Sequence, residues 1–348
     1  MLTLLAPGPT RLMGIVNVMT DSFSEPGRSI EDAIALGLQL VDEGADIIDV
    51  GGESTRPVPT GTPVEGVGSG VVPKAVGLVA RVTAEDELER VLPVVRALSE
   101  TGVIVSVDTM RASVAYEAVR MGAQLINDVS GGLVDPGMLE VVAGERSVAY
   151  ILQHWREPLD HESTHVDVVP EVIAELSQRL EVAVDKGIRR ENIILDPGVG
   201  FGKTSSQCWE LVRRAEEVMA LSPGRLDDVD SGSRGYPYPF LWGVSRKRFL
   251  ADAYSYPTEA WQRDVAGSAL TALLARAGAW GVRVHTATDN RVAIDAATLA
   301  KRGMGGSAVG GGTLTDTCRQ SARSRRIHLA GGDLGSCDLA QDDGEGGR

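Results

Sequence analysis

Short apolar runs recur along this chain, and each stops at a polar residue that opens into glycine, proline, serine or threonine. The first is 12–18, and comparable runs cover 46–50, 103–107, 124–127, 147–152, 192–195, 240–244 and 281–285. Continuous runs of this kind fit strands buried on both faces of a parallel sheet better than the strict alternation of a half-exposed strand. Between them, apolar residues fall at helical spacing over 29–43, 84–100, 111–121, 135–143, 166–186, 206–221, 258–278 and 288–302. Ser29 supplies an N-cap, with Asp32 closing a turn like a capping box, and Gly44, Gly102, Gly122 and Gly187 stand where helices should stop.

Eight strand–helix units in one chain predict a single (β/α)8 TIM barrel over residues 1–302, in which working residues sit on loops after the carboxyl ends of the strands. A doubly wound open sheet is the competing architecture. It would gather its functional loops at one switch point, whereas here nearly every strand ends in candidate chemistry. Two segments break the rhythm. Residues 58–83 are rich in Gly and Pro and read as an insertion after the second strand, on the active face; 222–239 fall before the seventh strand, at the opposite end. Residues 303–348, Gly-rich and without aromatics, read as a disordered tail.

Composition narrows the function. A net charge of −14 argues against nucleic acid as the main partner, since phosphate backbones call for a basic field. Cys208, Cys318 and Cys337 have no metal-ligand spacing and read as thiols of a reducing compartment. The first residues lack a basic stretch before an apolar one, and no window holds about 18 apolar residues. The expectation is a cytoplasmic protein with no membrane partner.

The strand ends carry the chemistry. Asp108 and Asp196 follow apolar runs, so their carboxylates should project into one barrel mouth together with Asn127. Such a group can act as an acid/base pair or accept hydrogen bonds from a heterocycle with adjacent N–H donors. Either Asp alone would serve equally well as a cap for a loop or helix. Arg56, Lys203, Lys247, Arg283 and His285 each follow closely on a strand, and in so acidic a chain they suggest a specific anion. Arg283 and His285 alternate with Val282 and Val284, so both should face the mouth. GVGFGK over 198–203 mimics a phosphate loop, but it fits neither the GxxxxGK[ST] nor the GxGxxG spacing.

Taken together, MGIVNV followed by DSFS, DVGGESTRP, SVDT, INDVSGG, LDPGVGFGK, GVSRK and RVH resemble, in this order, the motifs of the dihydropteroate synthase family of pterin-binding barrels. The resemblance covers about residues 12–300. It implies condensation of 6-hydroxymethyl-7,8-dihydropterin diphosphate with p-aminobenzoate, with Mg2+ as cofactor and a homodimer as assembly. It places the pterin against Asp108, Asn127, Asp196 and Lys247 with Phe201 nearby, and the diphosphate and its Mg2+ against Asn17, Arg283 and His285. Asp21, Ser22, Phe23, Thr55, Arg56, Pro57 and Ser245 fall to the p-aminobenzoate and diphosphate side. The catalytic roles it implies rest on Asp21, Arg56, Lys247, Arg283 and His285. The chain departs from the family pattern at Met19-Thr20 in place of Thr-Pro, at Pro26 in place of Gly, at Gln153 in place of Met, and at Thr286 in place of Asp. Two other readings stay open: a noncatalytic pterin-binding paralogue, and a folate-dependent corrinoid methyltransferase, which would have no use for the DSFS and STRP loops.

Overall fold

The computed structural model describes residues 3–18, 29–53, 82–156, 167–220, 238–254 and 258–302. Its strands are β1 (Arg11–Asn17), β2 (Ile47–Gly51), β3 (Ile104–Asp108), β4 (Leu125–Asp128), β5 (Ala149–Gln153), β6 (Ile193–Asp196), β7 (Leu241–Trp242) and β8 (Gly281–Val284). All pairings are parallel, in the order β6-β5-β4-β3-β2-β1-β8-β7. A parallel bridge between Leu195 and Phe240 joins the two ends of that order, so the expected barrel is formed.

The helices are α1 (Ile30–Asp42), α2 (Ala84–Glu100), α3 (Ala112–Arg120), α4 (Gly137–Gly144), α5 (Val168–Asp185), α6 (Ser205–Arg213), α7 (Ala215–Ala220), α8 (Arg248–Asp252), α9 (Ala260–Ala277) and α10 (Thr288–Arg302). The Ser29 hydroxyl caps α1 by accepting from the Asp32 N–H at 3.1 Å, as expected. Thr83 and Asp86 form a full capping box on α2. The predicted helix over 206–221 is instead two, broken at Arg214, whose guanidinium is drawn to Asp167, Glu210 and Glu217. The seventh strand is shorter than the predicted 240–244, and α8 follows it unforeseen.

Strand periodicity sorts the core. Met13, Ile47, Leu125, Ile151, Ile194 and Leu241 are buried inside the barrel with Leu5 against them. Their neighbours Leu12, Ile48, Ile126, Leu152, Leu195 and Trp242 face outward into the shell shared with the helices. Each fully buried aliphatic side chain contributes roughly 1.5–3 kcal/mol, so the alternation fixes the register firmly. Because successive inward positions are two apart, the inner plug is followed toward the carboxyl end by Asn17, Asp49, Asn127, Gln153 and Asp196, with Ser106 and Asp108 on β3 and Arg283 on β8. An apolar base thus carries a polar floor.

The chain divides after Lys301. The predicted tail over 303–348, the 58–83 insertion except Val82 and Thr83, and the 222–239 insertion except Tyr238 and Pro239 lie outside the described residues. Among the described residues no helix is long and apolar enough to cross a membrane.

Candidate active site

The polar floor is tied together by one guanidinium. Arg283 donates from Nε to Asp49 Oδ2 at 2.6 Å and from Nη2 to Asp108 Oδ2 at 2.6 Å. Asn127 donates from Nδ2 to the same Asp49 oxygen at 3.0 Å. The strands make this possible, since Asp108 lies beside Asn127 and Gly51 in register, and Asp49 lies two residues before Gly51. What remains is a set of buried acceptors with no partner among the described residues: Asp49 Oδ1, Asp108 Oδ1, Asn127 Oδ1 and Ser106 Oγ. Leaving such atoms unpaired costs about 1–3 kcal/mol each, so the floor is built for donors that the described residues do not supply.

Burial shapes the charges. It pushes the Asp108 carboxyl up to about 7 against the pull of Arg283, and Asp49, Glu87 and Asp128 add to the rise. Burial likewise carries Asp196 up to about 6, opposed by the Gly198 N–H at 2.7 Å and by Lys247 and Lys203. Lys247 is lowered to about 8 by burial, with Asp196 holding it up. Burial also opposes the charge of Arg283, but Asp49 and Asp108 outweigh it and keep the guanidinium firmly protonated. These mutual influences place Asp108, Asp196, Lys247 and Arg283 in one electrostatic neighbourhood.

Beside the floor, the Lys247 ammonium stands 4.1 Å over the Phe201 ring, in cation–π range. Phe201 packs on the small apolar cluster of Met110, Val129 and Trp155. On the β7 and β8 side of the rim, the backbone N–H of His285 donates to Ser245 Oγ at 3.2 Å, and Ser245 Oγ lies 3.0 Å from His285 Nδ1. Asn17 ends β1, and its Oδ1 would lie 3.7 Å from a Cβ placed on Gly51, next to Asp108.

Lys203 corrects the reading of a mouth cation. Its Nζ turns back to the carbonyls of Gly198 and Phe201 at 2.9 and 3.0 Å and donates to His154 Nδ1 at 2.9 Å. His154, fully buried and held neutral by burial and by Lys203, donates from Nε2 to Glu175 at 2.9 Å. The loop 198–203 curls because Gly198, Gly200 and Gly202 all adopt positive φ. A Cβ would meet the His154 carbonyl oxygen at 1.8 Å from Gly198 and the Arg156 carbonyl oxygen at 2.0 Å from Gly202. The run is therefore a structural clasp that presents Phe201, not a phosphate loop. Gln153, in the position where a Met was expected by the pterin, is buried and donates weakly to the Val129 carbonyl at 3.4 Å.

Asp108, Asn127, Asp196, Lys247, Phe201, Ser245, Arg283, His285 and Asn17 thus all come to one end of the barrel, as read from the strand ends. Asp21, Ser22, Phe23, Thr55, Arg56 and Pro57, and the departures at Met19, Thr20 and Pro26, lie outside the described residues. Asp49, quoted from the sequence only as the first residue of DVGGESTRP, was given no role in the site. The signal was present, because a carboxylate inside an otherwise apolar strand, in phase with Ile47, has no local cap to make.

The pterin binding enzyme family model matches residues 13–74 and 67–285. A dihydropteroate synthase of Mycobacterium leprae is 39% identical over 300 residues, covering 83% of this chain and 91% of that protein. The dihydropteroate synthase of Bacillus subtilis is 37% identical, covering 79% of this chain and 83% of its own length. Among solved structures, the Xanthomonas albilineans dihydropteroate synthase in complex with 7,8-dihydropteroate is similar with a TM-score of 0.64 at 34% identity, covering 86% of this chain and 95% of that one.

Proposed function

The chain belongs to the pterin binding enzyme family, and we infer that it works as a dihydropteroate synthase: it joins 6-hydroxymethyl-7,8-dihydropterin diphosphate to p-aminobenzoate, giving 7,8-dihydropteroate and diphosphate. The observation that carries this reading is the set of buried acceptors on the barrel floor, without partners among the described residues, beside a carboxylate and an ammonium. The aminopyrimidine edge of a pterin presents adjacent N–H donors, which suit Asp108, Asn127 and Asp196. Its carbonyl suits Lys247, and its ring face suits Phe201.

The reaction needs no covalent enzyme intermediate. The aryl amine nitrogen attacks the pterin methylene, the C–O bond to the diphosphate breaks with its electron pair leaving on oxygen, and the nitrogen loses one proton. The enzyme's share is to align the two reactants and to stabilise charge on the departing group. Arg283 and His285 suit the diphosphate, the first because its Asp49 and Asp108 contacts use Nε and Nη2 and leave Nη1 without a partner among the described residues. Asp21 and Arg56 on the first two loops complete the proposed catalytic set. Ser22, Phe23, Thr55, Pro57 and Ser245 are proposed to hold p-aminobenzoate.

Mg2+ belongs to the proposal in a limited form. Among the described residues no group of three His, Cys, Asp or Glu could cage a metal, while the Asn17 amide oxygen stands beside Asp108. One amide oxygen fits an ion that arrives with diphosphate and keeps most of its water. Bound there, Mg2+ would shield the charge of the leaving diphosphate.

We further read the protein as a cytoplasmic homodimer. In support, α9 exposes Trp261, Val265 and Leu273 and α10 exposes Val292 and Leu299, side chains of the kind a subunit interface covers. Activity is tested by following diphosphate release and the mass of the product. Both should appear in equal amounts and only when p-aminobenzoate is present. Pterin binding without release would favour a noncatalytic pterin binder.

A further inference from the structure

We propose that Asp49 is a positioning residue for this reaction: from inside β2, its carboxylate sets which end of the Asn127 amide is left for the pterin and where the Arg283 guanidinium lies. The inference rests on the synthase reading and adds a residue to it.

An amide has a donor end and an acceptor end, and only its neighbours decide which is presented. Asn127 spends its Nδ2 on Asp49 Oδ2 at 3.0 Å, so Oδ1 is the end left over, buried and without a partner among the described residues. A donor-edged ring needs that acceptor. If the amide turned over, it would offer N–H to N–H. Arg283 is constrained in the same way. Its Nε and Nη2 form one edge of the guanidinium plane, and Asp49 and Asp108 hold that edge at 2.6 Å each. The opposite corner, Nη1, is therefore the part left for an anion.

Asp49 itself is fully buried, so nothing but the floor justifies a carboxylate there. An ionised carboxylate in an apolar strand costs several kcal/mol unless it is paired and hydrogen-bonded. A purely structural position two residues after Ile47 would be filled at lower cost by Val or Ile. Three strands meet through this one side chain: β2 carries it, β4 supplies Asn127 and β8 supplies Arg283.

The test compares Asp49→Ala and Asp49→Asn with the parent, using calorimetry with unphosphorylated 6-hydroxymethylpterin and steady-state kinetics with the diphosphate. Asp49→Ala should lose at least about tenfold in pterin affinity and raise KM for pterin diphosphate by a similar factor, as expected when a buried pairing is removed. Asp49→Asn keeps an oxygen for both donors, removes the charge and sets an N–H donor where the unpaired Oδ1 stood. It should lose pterin affinity severalfold at pH 8, less than Asp49→Ala does, by the modest net worth of the preserved hydrogen bonds. Its acid limb of binding should move to lower pH, because Asp108 then faces Arg283 from β8, Glu87 from α2 and Asp128 from β4 without the negative charge of Asp49.

A side chain that merely supports the barrel would lower the melting temperature of Asp49→Ala and leave affinity, KM and the acid limb where they were; that result overturns the proposal. Should Asp49→Ala not fold, Asp49→Asn decides, and a pterin affinity equal to the parent's at pH 8 overturns the proposal. A parent protein that binds no pterin removes the synthase reading and this inference with it. Pterin binding by the parent with both variants unmoved removes this inference alone.

Discussion

Pterin affinity should rise steeply from pH 6 to a maximum between about pH 7 and 8, because two buried carboxyls on the floor must be ionised to accept the ring's donors. Asp108 stands at about 7 and Asp196 at about 6, each raised chiefly by burial. With a midpoint near 7, the ionised fraction of Asp108 grows from about one tenth at pH 6 to about nine tenths at pH 8, a tenfold gain in affinity or about 1.4 kcal/mol. Asp196 adds a further factor of about two over the same range. Lys247, lowered to about 8 by burial, loses its charge above that pH, so affinity should pass through a maximum between about pH 7 and 8. The stability of the free protein should move the other way. A carboxyl whose folded midpoint lies above its unfolded value of 3.8 binds more protons when folded, so these two groups lower stability as pH rises from about 4 to about 7. Isothermal calorimetry with unphosphorylated 6-hydroxymethylpterin avoids titration of the diphosphate, and Asp108→Asn serves as the control that should lose most of the dependence. Affinity that is flat between pH 6 and 8, or that grows on acidification, would refute the assignment of ionised carboxylates to the ring.

Other perturbations test separate parts of the structure. Gly198→Ala should fail to give folded protein, since its Cβ would sit 1.8 Å from the His154 carbonyl oxygen at φ +65°; a variant melting near the parent in circular dichroism would contradict the clasp. Lys203→Met should cost roughly 1–3 kcal/mol in denaturant unfolding by stranding the Gly198 and Phe201 carbonyls, and should raise KM for pterin diphosphate severalfold through the displaced Phe201. Unchanged unfolding and KM would count against it. Arg111→Ala leaves the buried Glu87 without its cation and should cost about 3–5 kcal/mol, read in the same unfolding assay. His285→Ala should weaken pterin diphosphate binding about tenfold while sparing unphosphorylated pterin, in keeping with the loss of one charge-assisted contact. Arg283→Ala should weaken both ligands, because Arg283 also braces Asp49 and Asp108.

Much of this was legible in the sequence for a plain reason. A barrel strand is short and apolar on both faces, so Asp108, Asn127 and Asp196 stand out as the first polar residues after an apolar run. The helix start at Ser29 was readable as a cap because capping is local chemistry. Asp49 was not, since it sits within a run rather than at its end, and its partners Asn127 and Arg283 are 78 and 234 residues away. Lys203 was misread for the converse reason. Its charge suggested an anion, but three positive-φ glycines turn the loop so that its ammonium meets carbonyls, and backbone curvature of that kind cannot be inferred from charge. Arg214, where the predicted helix breaks, pairs with Asp167, a residue 47 positions earlier that no helical periodicity reveals.

The floor's role is tested most directly by a crystal structure of the protein with 6-hydroxymethylpterin diphosphate bound. The ring's N–H donors should lie within hydrogen-bond distance of Asp108, Asn127 and Asp196, and the diphosphate should lie against Arg283 and His285. A pterin bound elsewhere, with Asp108 Oδ1 and Asn127 Oδ1 still lacking donors, would contradict the account.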